Sequence, residues 1–277
     1  MMRPLLHGPL LTTIAALTAV ATLVRALPQA QPALTITFLA NEGVHLAAGD
    51  KAVLIDALFE HYGRDFALPA DSTRAALAAA RPPFHEVDVI LVTHRHGDHF
   101  HPAPMAAHLR ANPRATLLTS RQVIDSLRAH PPAASLAAER LVAPPVRRGE
   151  RQRHAVAGIP VELLGLPHGG NPRRVPDHLG YVVELGGQRV LHVGDTDISE
   201  AAFRPLRLDT ARIDIALLPD WMITSAEGRE TIARWIKPGR VVAIHLTAQD
   251  TPAAARRVRE ALPSAIAFET SLSTLRP

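Results

Sequence analysis

The eight residues Thr93-His94-Arg95-His96-Gly97-Asp98-His99-Phe100 decide how this chain is read. They follow Val87-Asp88-Val89-Ile90-Leu91-Val92, a short β-branched apolar run of the kind that forms a buried strand. Three imidazoles and a carboxylate therefore leave one strand end within six residues. Imidazole and carboxylate are the donors that a borderline divalent ion such as zinc accepts. Continued as a strand, the run places His94, His96 and Asp98 on one face and His99 on the other. Gly97 tolerates a positive φ, so a turn there is expected to bring Asp98 and His99 round to a second position. Two metal ions side by side suit that geometry. The bland alternative is a set of solvated or core histidines, since the chain has 15 of them. Three unpaired imidazoles and a carboxylate packed together are costly without a counter-charge, and a metal supplies one.

Upstream, residues 34–39 alternate, 44–47 follow a turn at Asn41-Glu42-Gly43, and Gly49-Asp50 turns into 52–56. That is a β-meander ending at Asp56, which is either a metal ligand or the acceptor that orients the histidine loop. Asp71-Ser72-Thr73 starts a helix that stops near Arg81-Pro82-Pro83. Downstream, Pro102 opens a helix to about Arg110, a strand covers 115–118, and a helix covers 120–128. Residues 131–150, rich in proline and arginine, read as surface connection. The second half returns to strands. Residues 161–166 run into Pro167-His168-Gly169-Gly170, and 179–185 and 188–193 flank the hairpin signal Gly186-Gly187. The latter strand feeds Gly194-Asp195-Thr196-Asp197. A strand over 213–218 ends at Pro219-Asp220-Trp221, a helix covers 226–236, and a strand over 241–244 ends at His245. His168, Asp195 and His245 thus fall at three further strand ends, where α/β architectures build sites. The meander followed by β/α units occurs twice, which predicts two packed sheets covered by helices.

Composition narrows the function classes. The 277 residues are 47% hydrophobic, ample for a sizeable core. The formal charge is +4, and removing Arg3 and Arg25 of the leader leaves 4 − 2 = +2. No basic run with interleaved aromatics is present, so nucleic acid is not an expected partner. Cysteine is absent, which excludes disulfides, thiolate ligands, thiol nucleophiles and a lipoprotein anchor. Residues 1–26 read as a signal peptide: Arg3, then an uncharged apolar run over 10–24, then Val24-Arg25-Ala26 as cleavage site. The run is shorter than the ~20 residues of a spanning helix, so no stable membrane anchor is expected after cleavage. This places the mature chain, residues 27–277, in the periplasm or outside the cell.

His94-x-His96-x-Asp98-His99, then His168, then Asp195 within Gly194-Asp195-Thr196, then His245, together resemble the metal-ligand set of the metallo-β-lactamase fold superfamily. The resemblance runs from about residue 34 to the C-terminus. It implies an α/β fold of four layers, an αββα sandwich, in agreement with the element order above. It implies that His94, His96 and His168 bind one metal, that Asp98, His99 and His245 bind another, and that Asp195 bridges the two. The implied protein is an exported binuclear zinc-dependent hydrolase. In it a metal-bound hydroxide, aimed by Asp98, attacks an ester, lactone or phosphodiester of a small-molecule substrate. Iron and manganese suit the same donors. A mononuclear iron oxygenase of this fold and a β-lactam hydrolase are the alternatives.

The branch is read from departures. Zinc β-lactamases lack a bridging aspartate at the Gly-Asp-Thr position. Glyoxalase-like thioesterases and homoserine-lactone lactonases place their third histidine in a His-Thr-x-Gly-His pattern, whereas here ten residues separate His168 from Leu179. This longer insertion resembles the branch containing ascorbate-phosphate lactonase and N-acylphosphatidylethanolamine phospholipase D. Within it Arg173 and Arg174 are candidates to clamp an anionic substrate, or ordinary surface arginines. His178 either donates to an oxyanion or caps a strand, and Trp221 either walls the pocket or packs in the core. His101, His154 and His192 read as supporting residues. Oligomeric state is not legible.

Overall fold

The computed structural model describes residues 32–60, 63–170 and 176–277. The signal segment expected over 1–26 lies outside the described residues. Strands β1 (Thr35–Ala40), β2 (Gly43–Ala48) and β3 (Lys51–Ile55) form the antiparallel meander. Helix α1 (Asp71–Ala78) then leads to β4 (Val89–Val92), α2 (Pro102–Ala111), β5 (Thr116–Thr119), α3 (Arg121–Arg128) and β6 (Leu141–Val142). Strands β3 to β6 are parallel, each crossing over to the next.

The chain then repeats the plan. Strands β7 (Arg151–Val156), β8 (Ile159–Leu164), β9 (Gly180–Leu185) and β10 (Gln188–His192) are antiparallel. Helix α4 (Glu200–Phe203) precedes β11 (Ile215–Pro219), α5 (Asp220–Thr224), α6 (Ala226–Thr231), β12 (Arg240–Ile244), α7 (Thr251–Ala261) and β13 (Ile266–Ala267). Strands β10 to β13 are parallel, and β14 (Thr274–Leu275) returns to pair with β1. Among the described residues the two sheets have seven strands each, ordered β14-β1-β2-β3-β4-β5-β6 and β13-β12-β11-β10-β9-β8-β7.

Alternation along the strands builds the layers. In β4, Val89 and Leu91 face the other sheet while Ile90 and Val92 face the helices. In β11, Ile215 and Leu217 point inward while Ala216 and Leu218 meet the helices. A strand covered on both faces reads as a continuous apolar run, and these runs do. The result is helices, sheet, sheet, helices: the four-layer sandwich expected from the sequence. Strands β8, β10 and β12 point the same way, because β9 is antiparallel to both β8 and β10 and β12 is parallel to β11 and β10. Their carboxyl ends therefore open on one rim, which also receives the end of β4.

Several expectations need correction. The histidine motif does not continue the strand: β4 stops at Val92. Gly97 does not take a positive φ. The turn is instead closed by the N–H groups of His99 and Phe100, which donate to the His96 carbonyl at 3.1 and 3.0 Å. Residues 131–150 are not mere connection, since Ala133 and Leu141 are buried and β6 extends the first sheet. The helix expected over 226–236 is α6 followed by a π-helical turn, Ile232–Ile236. Strand β7 and helix α7 are additional to the elements expected from the sequence.

One buried histidine gives the fold a measurable pH dependence. His45 in β2 is buried, packs edge-on to Phe84 at 5.5 Å, and its Nε2 has no hydrogen-bond partner. Burial lowers its pKa from 6.5 to about 4. The unfolded chain therefore takes up the proton first as pH falls, so this stability is present above 6.5 and is lost between 6.5 and about 4. About 2 kcal/mol of it goes between pH 7 and 5. His45→Leu should show a smaller loss of urea stability over that interval than the wild type, at equal metal loading. An equal loss in both proteins would remove His45 from the account.

Candidate metal centre

Four loops at the common rim deliver the donors. The loop after β4 carries His94, His96, Asp98 and His99; the loop after β8 carries His168; the turn after β10 carries Asp195; and His245 directly follows β12. The seven expected ligands converge into two sets that share one residue. His94, His96, His168 and Asp195 form the first, and Asp98, His99, Asp195 and His245 the second. Asp195 divides its carboxylate between them. Its Oδ2 lies 3.8 Å from His94 Nε2 and 3.6 Å from His168 Nε2, whereas its Oδ1 lies 3.3 Å from His99 Nε2 and 3.4 Å from His245 Nε2.

The spacing fits cations. Zinc bonds of ~2.0–2.1 Å in a tetrahedron put neighbouring donors about 3.3 Å apart. In the first set His96 Nδ1 stands 2.9 Å from His94 Nε2 and 3.2 Å from His168 Nε2. In the second, Asp98 Oδ2 stands 3.2 Å from His99 Nε2 and 3.5 Å from His245 Nε2. His99 Nε2, His245 Nε2 and Asp195 Oδ1 are buried without a well-aligned hydrogen-bond partner, a cost that a shared cation removes.

The electrostatics favour the same use. Burial and then its histidine neighbours hold His94 well below the usual imidazole range, and burial and then His168 lower His96, so both offer neutral lone pairs. Burial opposes the charge on Asp98, yet His245 and His99 hold it below the usual carboxylate range. Burial likewise opposes the charge on Asp195, and His99 outweighs it. Burial disfavours the His99 imidazolium, but Asp195, Asp56 and Asp98 push it well up. The rim draws positive charge.

A second layer fixes the donors. Asp56, at the end of β3, accepts from Thr93 N at 2.8 Å, Thr93 Oγ1 at 2.6 Å and His99 Nδ1 at 2.9 Å. It therefore takes the orienting role rather than a place in either shared set. Asn41 Nδ2 donates to Asp98 Oδ2 at 3.2 Å. Beside it Glu42 is fully buried, and burial followed by Asp195 pushes its carboxyl well above the usual range. Asn41, Asp56 and His245 all adopt positive φ, with values of 53°, 45° and 55°. Such backbone strain collects where a site dictates geometry. The sequence marks Asn41-Glu42 only as part of a turn.

The remaining candidates separate. Trp221, in α5, stands edge-on to His245 at 4.9 Å and lines a cavity of about 490 Å³ with His168, Asp195, Asp197 and Glu227. His178 is buried, its ring 5.3 Å from that of His94 and 5.6 Å from that of His168, and its Nδ1 donates to the Leu166 carbonyl at 3.3 Å. It backs the first set rather than capping a strand. Arg173 and Arg174 lie outside the described residues. His101 caps α2, accepting from Ala103 N at 3.4 Å, and His154 sits on β7 beside Gln152.

Known proteins resemble this chain in sequence and fold. Residues 51–265 match the beta-lactamase superfamily domain. A UPF0173 metal-dependent hydrolase of Thermus thermophilus is 28% identical over 249 residues, 81% of this chain and 91% of that protein. One from Symbiobacterium thermophilum is 30% identical over 184 residues, 62% of this chain and 73% of its own. Among solved structures, the metallo hydrolase Igni18 of Ignicoccus hospitalis superposes with a TM-score of 0.60 at 17% identity, covering 88% of this chain and 99% of its own. An isothiocyanate hydrolase from Delia radicum gut bacteria gives 0.58 at 15%, covering 88% and 99%. At such identities the structural matches speak to the fold alone. The family match spans most of the chain and includes the four loops that converge at the rim, so the chain belongs to the beta-lactamase superfamily domain family, with the metallo-β-lactamase fold.

Proposed function

We propose that this metal-dependent hydrolase carries two divalent cations, zinc in the first instance, and cleaves a small ester, lactone or phosphodiester outside the cytoplasm. The observation that carries the proposal is the division of seven donors by one shared carboxylate, Oδ2 of Asp195 toward one set and Oδ1 toward the other. Bound cations would supply Lewis-acid polarisation of the scissile group and water activated at neutral pH. The chain's own residues do the positioning. Asp98, steadied by Asn41, is the carboxylate placed to accept a hydrogen bond from the attacking water and aim its lone pair. Trp221 closes one wall of the cavity against bulk water.

The cavity of about 490 Å³ suits a small molecule. Its charged described side chains other than the ligands are Asp197 and Glu227, while Arg148 lines a separate cavity across His168. Asp195 and the long segment after His168 support lactone or phosphodiester chemistry, of the ascorbate-phosphate lactonase and N-acylphosphatidylethanolamine phospholipase D kind, over β-lactam cleavage. Export rests on Arg3, the apolar run over 10–24 and Val24-Arg25-Ala26. Among the described residues no helix is long and apolar enough to cross a membrane.

The test uses protein recovered from the periplasmic fraction, sequenced from its N-terminus, analysed for metal and assayed on bis-p-nitrophenyl phosphate, a lactone panel and nitrocefin. The expected result is a chain starting at Leu27 with two zinc ions, whose hydrolysis chelation abolishes and zinc restores. One iron with oxygen consumption and no hydrolysis would assign the oxygenase, and turnover of nitrocefin alone the β-lactam reaction.

A further inference from the structure

Asp56 supports both ligand sets, through Thr93 beside His94 and through His99 Nδ1, but the sets differ in their other supports. In the first, His94 and His168 lean on their own sequence neighbours through the ring nitrogens that do not face the centre. His94 Nδ1 meets Thr93 Oγ1 at 3.0 Å, and His168 Nδ1 donates to the Gly169 carbonyl at 2.5 Å. In the second, Asp98 and His245 are held from outside, by the β1–β2 turn. Asn41 Nδ2 donates to both the backbone carbonyl and Oδ2 of Asp98, each at 3.2 Å. The Asn41 carbonyl accepts from the N–H of His245 at 2.8 Å, fixing the residue whose positive φ turns its imidazole to the centre. The neighbouring Glu42 carbonyl accepts from His192 Nε2 at 3.0 Å, and His192 Nδ1 accepts from Gly194 N at 3.3 Å. Both ring nitrogens of His192 are thereby used and its tautomer is set. Gly194 is followed directly by Asp195.

We propose that Asn41 is the positioning residue for the second cation, the one that Asp98, His99 and His245 would hold, and that His192 ties the same turn to the bridging carboxylate. Asn41 is 1% exposed, and its backbone at φ 53° lies in the left-handed region that glycine, asparagine and aspartate adopt most readily. Without the Nδ2 donor, Asp98 is free to rotate away from His99 and His245. The first set keeps every contact described for it. Losing an orienting partner of this kind costs about 10–100-fold in metal affinity. Asn41→Gly removes the amide and preserves the turn. His192→Gln reaches Asp195, which both sets share, and so should weaken both cations.

This inference rests on the two-cation reading, and the experiment separates them. The full mature chain is titrated with Zn²⁺ against a chelating indicator and with Co²⁺ followed by its visible absorption. Anomalous scattering from zinc-soaked crystals identifies which set retains its ion. In Asn41→Gly the second cation should bind about 10–100-fold more weakly while the first changes by less than about twofold. An unfolded fraction lowers both affinities alike, so the ratio of the two reads positioning and not stability. Asn112→Ala, which deletes a buried hydrogen bond to the Val87 carbonyl far from the turn, should leave the ratio unchanged. An unaltered ratio in Asn41→Gly, or loss of the ion held by His94, His96 and His168, overturns the inference. Wild-type protein that binds a single ion overturns the two-cation reading and the inference with it, before any variant is made.

Discussion

Asp195→Asn is expected to leave at most one firmly bound cation per chain and to lower kcat/KM on the best substrate by roughly 10³-fold, about 4 kcal/mol of barrier. The substitution keeps the volume of a side chain that is mostly enclosed, so folding should survive it. What it removes is charge between the two donor sets. Oδ1 and Oδ2 each face two imidazoles of their own set at 3.3–3.8 Å. Two divalent ions on either side of that carboxylate repel one another by on the order of 10 kcal/mol even at an effective dielectric near 20. A neutral amide also turns one NH₂ toward a set of lone-pair donors. Metal content after dialysis and steady-state rates on the same preparation check the outcome. Two retained zinc ions with wild-type turnover would show that the shared carboxylate is not what holds the pair together.

The site was legible where chemistry restricts residue choice. No other use of His94, His96, Asp98 and His99 within one loop is as economical as cation binding, and His168, Asp195 and His245 each follow an apolar run that announces its own strand. The sandwich followed from the same runs, because strands covered on both faces have little freedom but to be apolar. What escaped was either polar or tertiary. Strand β7 carries Arg151, Arg153 and His154 at a sheet edge, where charged side chains face solvent and suppress edge pairing, so its pattern lacks an apolar face. Helix α7 did carry a signal, since Asp250 accepts from Ala253 N and Pro252 opens its first turn. The role of Asn41 was hidden for a different reason. Its partners Asp98 and His245 lie 57 and 204 positions away, and nothing local distinguishes it from an ordinary turn asparagine. Gly97 misled because a glycine in a turn invites a left-handed reading, while here two hydrogen bonds to the His96 carbonyl close the turn.

Gly194→Ala should be among the most damaging single-methyl additions to this chain, through stability and metal binding together. The residue sits at φ +59°, which costs an alanine roughly 1 kcal/mol or more. A Cβ there would also lie 2.6 Å from His178 Nε2 and 2.8 Å from both Cβ and Oγ1 of Thr93. Neither neighbour yields freely. His178 is buried against the rings of His94 and His168, and Thr93 Oγ1 is held by Asp56 at 2.6 Å. Overpacking of this kind typically costs 1–3 kcal/mol, so the total is about 3 kcal/mol, or a fall in Tm of roughly 6–12 °C for a domain of this size. Relief by backbone movement would displace Asp195 next door and disturb both ligand sets. Gly158→Ala supplies the control: its φ is +78°, and a Cβ there meets nothing within 4 Å. It should show the backbone cost alone, about 1 kcal/mol, and keep both cations. Equal Tm losses and equal zinc content in the two variants would mean that the wall formed by His178 and Thr93 gives way, and that the tight turn before Asp195 is a convenience of the backbone rather than a condition of the site.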